Sequence, residues 1–362
     1  MAQEPTGDFA VVQAAVDQYL SSGKAPVISA DALWENLSDG DPDNDPFILS
    51  VRAPDAYAKG HIPGAINIPW KEIAKPENLA KLPTDQPIVV YCYTGHTGQA
   101  ASTVLNVLGY DATNLKFGMM GWTEDDEVLA TTRFGPDTDH RDYRVEQEPN
   151  EATETYASPE LNLGVEGEFE IVRAAADAWL SNPAAPPVMK ADALWENLSD
   201  GDADNDPVVL SVRSPEHYAL GHMPGAINIP WRAVAKPESL AKLPTDQNIA
   251  AYCYTGHTGQ VAAAALGMLG YPVSNVKYGM MGWTEDDEVL ATQRFGPELQ
   301  RDYRIESAAE METEQPAEEQ AAEEQPAELP ATGAPVSPMV LVGLVLGLSS
   351  LGTGLAVRRR LG

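Results

Sequence analysis

Short apolar runs alternate with helix patterns along most of the chain. Phe47-Ile48-Leu49-Ser50-Val51 follows an Asp/Asn/Pro turn and reads as a buried strand. Pro54 comes next and suits the first turn of a helix. Ala65-Ile66-Asn67-Ile68 predicts a second short strand, closed by Pro69. Ile88-Val89-Val90-Tyr91 predicts a third, and its β-branched residues favour burial on both faces. Gln99 to Leu108 reads as a helix ended by Gly109. Strands alternating with helices imply an α/β fold, a central parallel sheet flanked by helices.

The whole pattern occurs twice. An offset of 161 relates Cys92 to Cys253, and also Trp34 to Trp195, Arg52 to Arg213, His61 to His222 and Trp122 to Trp283. A shift of one residue carries it to Phe9 and Phe169, and to Tyr143 and Tyr303. So long a period means two duplicated domains, not a solenoid, and 362 residues suffice for two cores. The expected boundaries are 8–145 and 166–306, joined by a linker over 146–165. Glu146 to Pro159 is polar and rich in Glu, Thr and Pro, as a linker would be. Residues 307–328 repeat Glu, Gln, Ala and Pro and read as an acidic, extended, disordered spacer.

Composition narrows the function classes. The chain is 43% hydrophobic and 21% charged, the balance of a globular protein. Its net charge of −31 repels phosphate backbones and argues against nucleic acid as a partner. Its two cysteines are too few for a disulfide framework. Each lies in the same eight-residue stretch, Tyr91 to Gly98 and Tyr252 to Gly259. One cysteine per domain, in a glycine-bearing loop, points to a reactive thiol. No cofactor or metal is expected. The Asp-rich turns Asp39 to Asp45 and Asp200 to Asp206 miss the calcium-loop pattern, because Asn44 and Ser50 stand where glycine and glutamate belong.

A cysteine just after a buried strand and just before a helix has a defined setting. Loop N–H groups and the helix N-terminus stabilise negative charge there. Such a setting can lower a thiol pKa from ~8.5 to roughly 3.5–7.5. Gly95 and Gly98 let the loop curl. The same cradle suits an anionic substrate or a sulfur carried on the cysteine.

Gly60-His61-Ile62-Pro63-Gly64-Ala65-Ile66-Asn67-Ile68-Pro69 resembles the rhodanese signature. So do Ser50-Val51-Arg52, the loop Cys92-x-x-Gly95-x-Thr97, and Gly118-x-x-Gly121-Trp122. The second copy has Ser211-Val212-Arg213, Gly221-His222-Met223-Pro224-Gly225-Ala226, Cys253-x-x-Gly256-x-Thr258 and Gly279-x-x-Gly282-Trp283. The resemblance implies tandem sulfurtransferase domains of the thiosulfate type. Cys92 and Cys253 would be the catalytic residues, carrying sulfane sulfur as persulfides from thiosulfate or polysulfide to cyanide or a thiol. The implied substrate-binding residues are Tyr93, Thr94, Gly95, His96, Thr97 and Gly98 with Arg52, and Tyr254, Thr255, Gly256, His257, Thr258 and Gly259 with Arg213.

The family commonly has arginine where Thr97 and Thr258 stand, and favours aspartate at Ser50 and Ser211. Without the loop arginine a dianionic donor is held less well. His96 and His257 next door are the candidates to replace it, partly protonated near neutral pH. Phosphatases of this fold use a longer loop ending in arginine, which is absent between Cys92 and Gln99. The remaining alternative is a non-catalytic module that binds sulfur or a partner.

Leu329-Pro330-Ala331-Thr332-Gly333 precedes an apolar run, Val336 to Val357, and then Arg358-Arg359-Arg360. The run is long enough to span a bilayer core of ~30 Å. The three-part order resembles the sortase cell-wall sorting signal of Gram-positive bacteria. It implies a transmembrane helix, cleavage between Thr332 and Gly333, and an extracellular, envelope-anchored chain. Met1 to Asp8 has no apolar run, and Ala2-Gln3-Glu4-Pro5 reads as a mature N-terminus from which a signal peptide has been removed.

Overall fold

The computed structural model describes residues 6–183 and 188–307. Repeat 1 holds β1 (Val27–Ile28), β2 (Phe47–Ser50), β3 (Ile66–Asn67), β4 (Ile88–Tyr91) and β5 (Ala112–Leu115). They form one sheet in the order β1-β5-β4-β2-β3. Every pairing in it is parallel. Repeat 2 reproduces it with β6 (Val188–Met189), β7 (Val208–Ser211), β8 (Ile227–Asn228), β9 (Ile249–Tyr252) and β10 (Val273–Val276), in the order β6-β10-β9-β7-β8.

Side-chain alternation explains the apolar runs. In repeat 1, Leu49 and Val90 enter one apolar cluster, while Ile48 and Val89 enter the other. All four residues of β4 are therefore buried, as a strand covered on both faces requires. Pro54 opens the helix Pro54–Lys59, with its missing N–H at the helix start.

The helix predicted from Gln99 begins three residues earlier, at His96, and runs to Val107. His96, Thr97 and Gly98 hid the start because they are polar or small. They are nevertheless helical, and Gly95 before them turns the chain at a φ of 89°. Most of the helix is buried. It packs on its own sheet and against its counterpart, His257–Met268.

The two repeats share their cores. One apolar cluster contains Leu49, Val90, Leu210 and Ala251, and the other Ile48, Val89, Val209 and Ala250. The helix Gly7–Ser21 packs on Glu168–Ser181 and reaches into repeat 2. Gln13 donates to the Ala235 carbonyl at 2.8 Å. Arg232 donates to the carbonyls of Leu20 and Lys24, both at 2.8 Å. Both repeats fall within one compact unit, Met1–Gln315.

The end of each repeat crosses to the other. Arg141 and Tyr143, from the end of repeat 1, bind Asp192 of repeat 2 at 2.7–2.9 Å. Tyr143 stacks on Trp195, with ring centroids 4.9 Å apart. Arg301 and Tyr303 bind Asp31 of repeat 1, and Tyr303 stacks on Trp34 at 4.8 Å. Isolated bridges finish the exchange, Glu146 with His222 and Glu306 with His61.

The segments that end the expected domains at 145 and 306 thus each dock on the neighbouring repeat. The linker expected over 146–165 is also anchored in part. Tyr156 N–H reaches the Ala241 carbonyl at 2.8 Å, and Leu163 N–H reaches Asp8 at 2.8 Å. Polar composition signalled irregular backbone here, but the backbone still finds partners. Among the described residues no helix is long and apolar enough to cross a membrane. Thr332, Gly333 and the apolar run from Val336 to Val357 lie outside the described residues.

Candidate active site

Cys92 follows the carboxyl end of β4, near the middle of the parallel sheet, where ligands of such sheets gather. Alternation puts it on the same face as Val90, and it is 1% exposed. Gly95 N–H donates to Cys92 Sγ at 3.2 Å. That donor needs the left-handed turn at Gly95, with φ of 89°, a conformation costly for any residue with a Cβ. The Cys92 and Tyr93 carbonyls accept from Met119 and Met120 N–H at 3.0 and 2.9 Å. Asn114 Nδ2 donates to the Gly95 carbonyl at 3.0 Å and ties the loop to β5.

Repeat 2 builds the same cradle. Gly256 N–H donates to Cys253 Sγ at 3.2 Å, and Asn275 to the Gly256 carbonyl at 3.0 Å. Met280 and Met281 N–H hold the Cys253 and Tyr254 carbonyls at 2.9 and 2.8 Å.

The predicted site residues divide by exposure. Tyr93 and Thr97, with Tyr254 and Thr258, are half-buried and form the part of each loop that solvent reaches. Thr94, Gly95, His96 and Gly98 are buried, as are Thr255, Gly256, His257 and Gly259. Gly98 and Gly259 allow close packing, since a methyl group there would collide with Asn114 or Asn275.

One sequence expectation changes. His96 and His257 do not replace the missing arginines as cations. Burial holds His257 down at about 3 and His96 well below the usual histidine range. Both rings therefore stay neutral near pH 7. Arg52 and Arg213, expected among the substrate-binding residues, lie over the rings of Tyr93 and Tyr254 in the cysteine loops. Both arginines are fully buried, and each clamps two backbone carbonyls, Val128 and Gly60 for Arg52, Val289 and Gly221 for Arg213. These bonds lock the sheet to the following segment, while Nε of each guanidinium is buried without a hydrogen-bond partner among the described residues.

Sequence reasoning missed three features. Asn114 and Asn275 brace the loops, and their recurrence at the repeat offset was the available signal. Phe117 of repeat 1 stands where repeat 2 has Tyr278. Burial pushes the Tyr278 hydroxyl far up, and the neighbouring Asp139 and Cys92 add to that, so a neutral phenol lies near Cys92. Third, Tyr254 OH meets His217 Nδ1 at 2.8 Å, whereas repeat 1 has Ala56 at the equivalent position. The two sites thus share a cradle and differ at its edges.

The rhodanese-like domain profile matches twice, over residues 29–125 and 190–286. A protein of Saccharopolyspora erythraea with the provisional name thiosulfate sulfurtransferase is 25% identical over 280 residues, covering 68% of this chain and 88% of its own. A sulfurtransferase of Allochromatium vinosum is 30% identical over 96 residues, covering 26% of this chain and 85% of its own. An HTH-type transcriptional regulator of Mycobacterium tuberculosis is 32% identical over 130 residues, covering 32% of this chain, and the match spans only 53% of that regulator's length. With both halves matched over more than half of its length, and with a cysteine loop in each, the chain belongs to the rhodanese-like domain family.

Proposed function

We propose that the chain is a cell-envelope sulfurtransferase in which Cys92 and Cys253 each carry sulfane sulfur as a persulfide. One observation carries this reading: in both repeats a loop N–H donates to the cysteine sulfur at 3.2 Å. A donor already aimed at sulfur stabilises charge there without reorganisation. The first-turn amides of the following helix also lack intrahelical acceptors and favour an anion.

In the first step the cysteine thiolate attacks the outer sulfur of thiosulfate. An S–S bond forms to the cysteine, the donor's S–S bond breaks, and sulfite leaves with the electron pair. A polysulfide would serve equally, with a shorter polysulfide leaving. In the second step a thiolate or cyanide attacks the outer persulfide sulfur, giving a new persulfide or thiocyanate and the free cysteine thiolate. At the envelope the expected partners are these small sulfur compounds, a sortase acting between Thr332 and Gly333, and the membrane through the C-terminal helix.

The test uses the full chain with thiosulfate or polysulfide. Expected is a one-sulfur mass increment on the peptides of Cys92 and Cys253. Sulfite release should be partly retained in Cys92→Ser and in Cys253→Ser and lost in the double variant. Release unaffected by the double variant would end this reading. The alternative, a non-catalytic module, is favoured by the 1% exposure of both cysteines. It predicts no turnover of sulfur to cyanide or a thiol, whether or not either cysteine takes up sulfur. For the envelope, deletion of residues 329–333 should abolish wall-linked protein in fractionated cells, and an unchanged linked fraction would remove sorting from the proposal.

A further inference from the structure

Each cysteine loop sends a buried histidine into the other repeat. His257 Nδ1 meets Thr255 Oγ1 at 3.0 Å, and its Nε2 accepts the N–H of Phe117, in repeat 1, at 3.1 Å. His96 mirrors it, with Thr94 Oγ1 at 3.0 Å and the Tyr278 N–H of repeat 2 at 3.0 Å. The two rings lie 15° from parallel with centroids 6.0 Å apart. A backbone N–H needs an acceptor, so each Nε2 is unprotonated and the single ring proton sits on Nδ1, toward the threonine.

The donors on the other side are unusual residues. Phe117 and Tyr278 hold φ of 64° and 61°, the left-handed region that costs a residue with a Cβ roughly 1–2 kcal/mol. Two and three residues after Phe117 come Met119 and Met120, whose N–H groups hold the Cys92 and Tyr93 carbonyls. The amide captured by His257 thus belongs to the strained turn from which the Cys92 backbone hangs. A second contact leads toward the sulfur. A methyl group on Gly95 would collide with His257 Nε2, so the ring backs directly onto Gly95. Gly95 supplies the N–H donated to Cys92 Sγ. In repeat 2 the ring of His96 backs onto Gly256 in the same way.

We infer that His257 is a positioning residue for Cys92, and His96 for Cys253, each acting across the repeat boundary, so that neither repeat completes its own sulfur site. The activity readout rests on the proposed sulfur chemistry, while the coupling itself is read independently.

The test is made in the full chain with Cys253→Ser, which leaves Cys92 as the reporter. His257→Phe keeps an aromatic ring and removes the acceptor. His257→Gln restores a neutral acceptor for the Phe117 N–H. Loss of a buried hydrogen bond predicts that the Phe variant loads sulfur onto Cys92 about tenfold more slowly, and that the Gln variant returns to within about threefold. Amide exchange should rise about tenfold in peptides covering 92–98 and 117–120, in the opposite repeat. Exchange changes confined to 253–259, or Cys92 loading in the Phe variant within about twofold of its parent, overturn the inference. If the Cys253→Ser parent loads no sulfur, the sulfurtransferase reading fails, while exchange still decides the coupling. If the Phe variant does not fold, nitrogen NMR of the unmodified chain decides. An unprotonated His257 Nε2 coupled to the Phe117 amide supports the inference, and a protonated Nε2 overturns it.

Discussion

At the scale of single residues, the sulfur sites combine a donor aimed at sulfur with an uncharged threonine at the solvent-reached edge of each loop. Thr97 and Thr258 occupy that edge, and neither can neutralise a dianion. Thr97→Arg, made with Cys253→Ser, should lower the KM for thiosulfate. A hydrogen bond to a charged group contributes about 1.5–3 kcal/mol, so a drop of about tenfold is expected. An unchanged or raised KM would show that donor binding does not depend on charge at this position. Gly95→Ala tests the cradle itself. It places a Cβ at a φ of 89° and against the ring of His257. The left-handed penalty alone costs about 1–2 kcal/mol, and the collision adds to it. Urea denaturation should show a loss of at least that size, together with slower sulfur loading at Cys92.

At the scale of elements, the crossed ends decide which repeat feels a mutation. Tyr303 lies near the end of repeat 2 but serves repeat 1, where it stacks on Trp34 and meets Trp122 edge-on at 5.1 Å. It also donates to Asp31, which Arg301 grips through two bonds. Tyr303→Ala should destabilise the chain by about 2 kcal/mol, from lost aromatic contacts and a lost hydrogen bond. Amide exchange should rise in the helix Ala30–Leu37 of repeat 1 and not in its counterpart Ala191–Leu198. Tyr143→Ala should do the reverse, and the opposite pattern in either variant would remove the exchange of ends from the stability argument. This feature was only half legible in the sequence. Arg141-Asp142-Tyr143-Arg144 recurs as Arg301-Asp302-Tyr303-Arg304, so the repeat was visible. Nothing in the pattern says that each copy docks on the other repeat, because a short segment fits equivalent surfaces equally well. The strands were legible for the opposite reason, since β2 and β4 are buried by their own sheet and its helices. The helix start at His96 and the neutral state of that histidine were not. The start is hidden by the polar and small residues His96, Thr97 and Gly98, and the neutral state depends on burial and on His257 and Lys277 of the other repeat.

At the scale of the whole molecule, the two histidines make the interface between the repeats sensitive to acid. Lys277 and the other ring face His96, and Lys116 faces His257, so the nearby charges reinforce burial in disfavouring the imidazolium. An unfolded histidine titrates near 6.5, whereas His257 in the fold is held at about 3. Between those values the unfolded chain binds more protons than the folded one. Stability is therefore full above about pH 6.5, falls as pH drops through 6.5, and stops falling from this source near 3. At pH 5 the loss from His257 alone amounts to about 2 kcal/mol, and His96 contributes in the same direction. Two effects must be separated from it. Asp31 is held down at about 2 by Arg301, so its contribution is lost only below the ordinary carboxylate range. The net charge of −31 shrinks in acid, which relieves self-repulsion and opposes the loss. The comparison that isolates the histidine is the difference in stability between pH 7.5 and pH 5, measured for the unmodified chain and for His257→Gln. The glutamine variant keeps the acceptor and cannot titrate, so its difference should be smaller by about 2 kcal/mol. Equal pH dependence in the two proteins would show that His257 is already protonated, or already exposed, in the folded state.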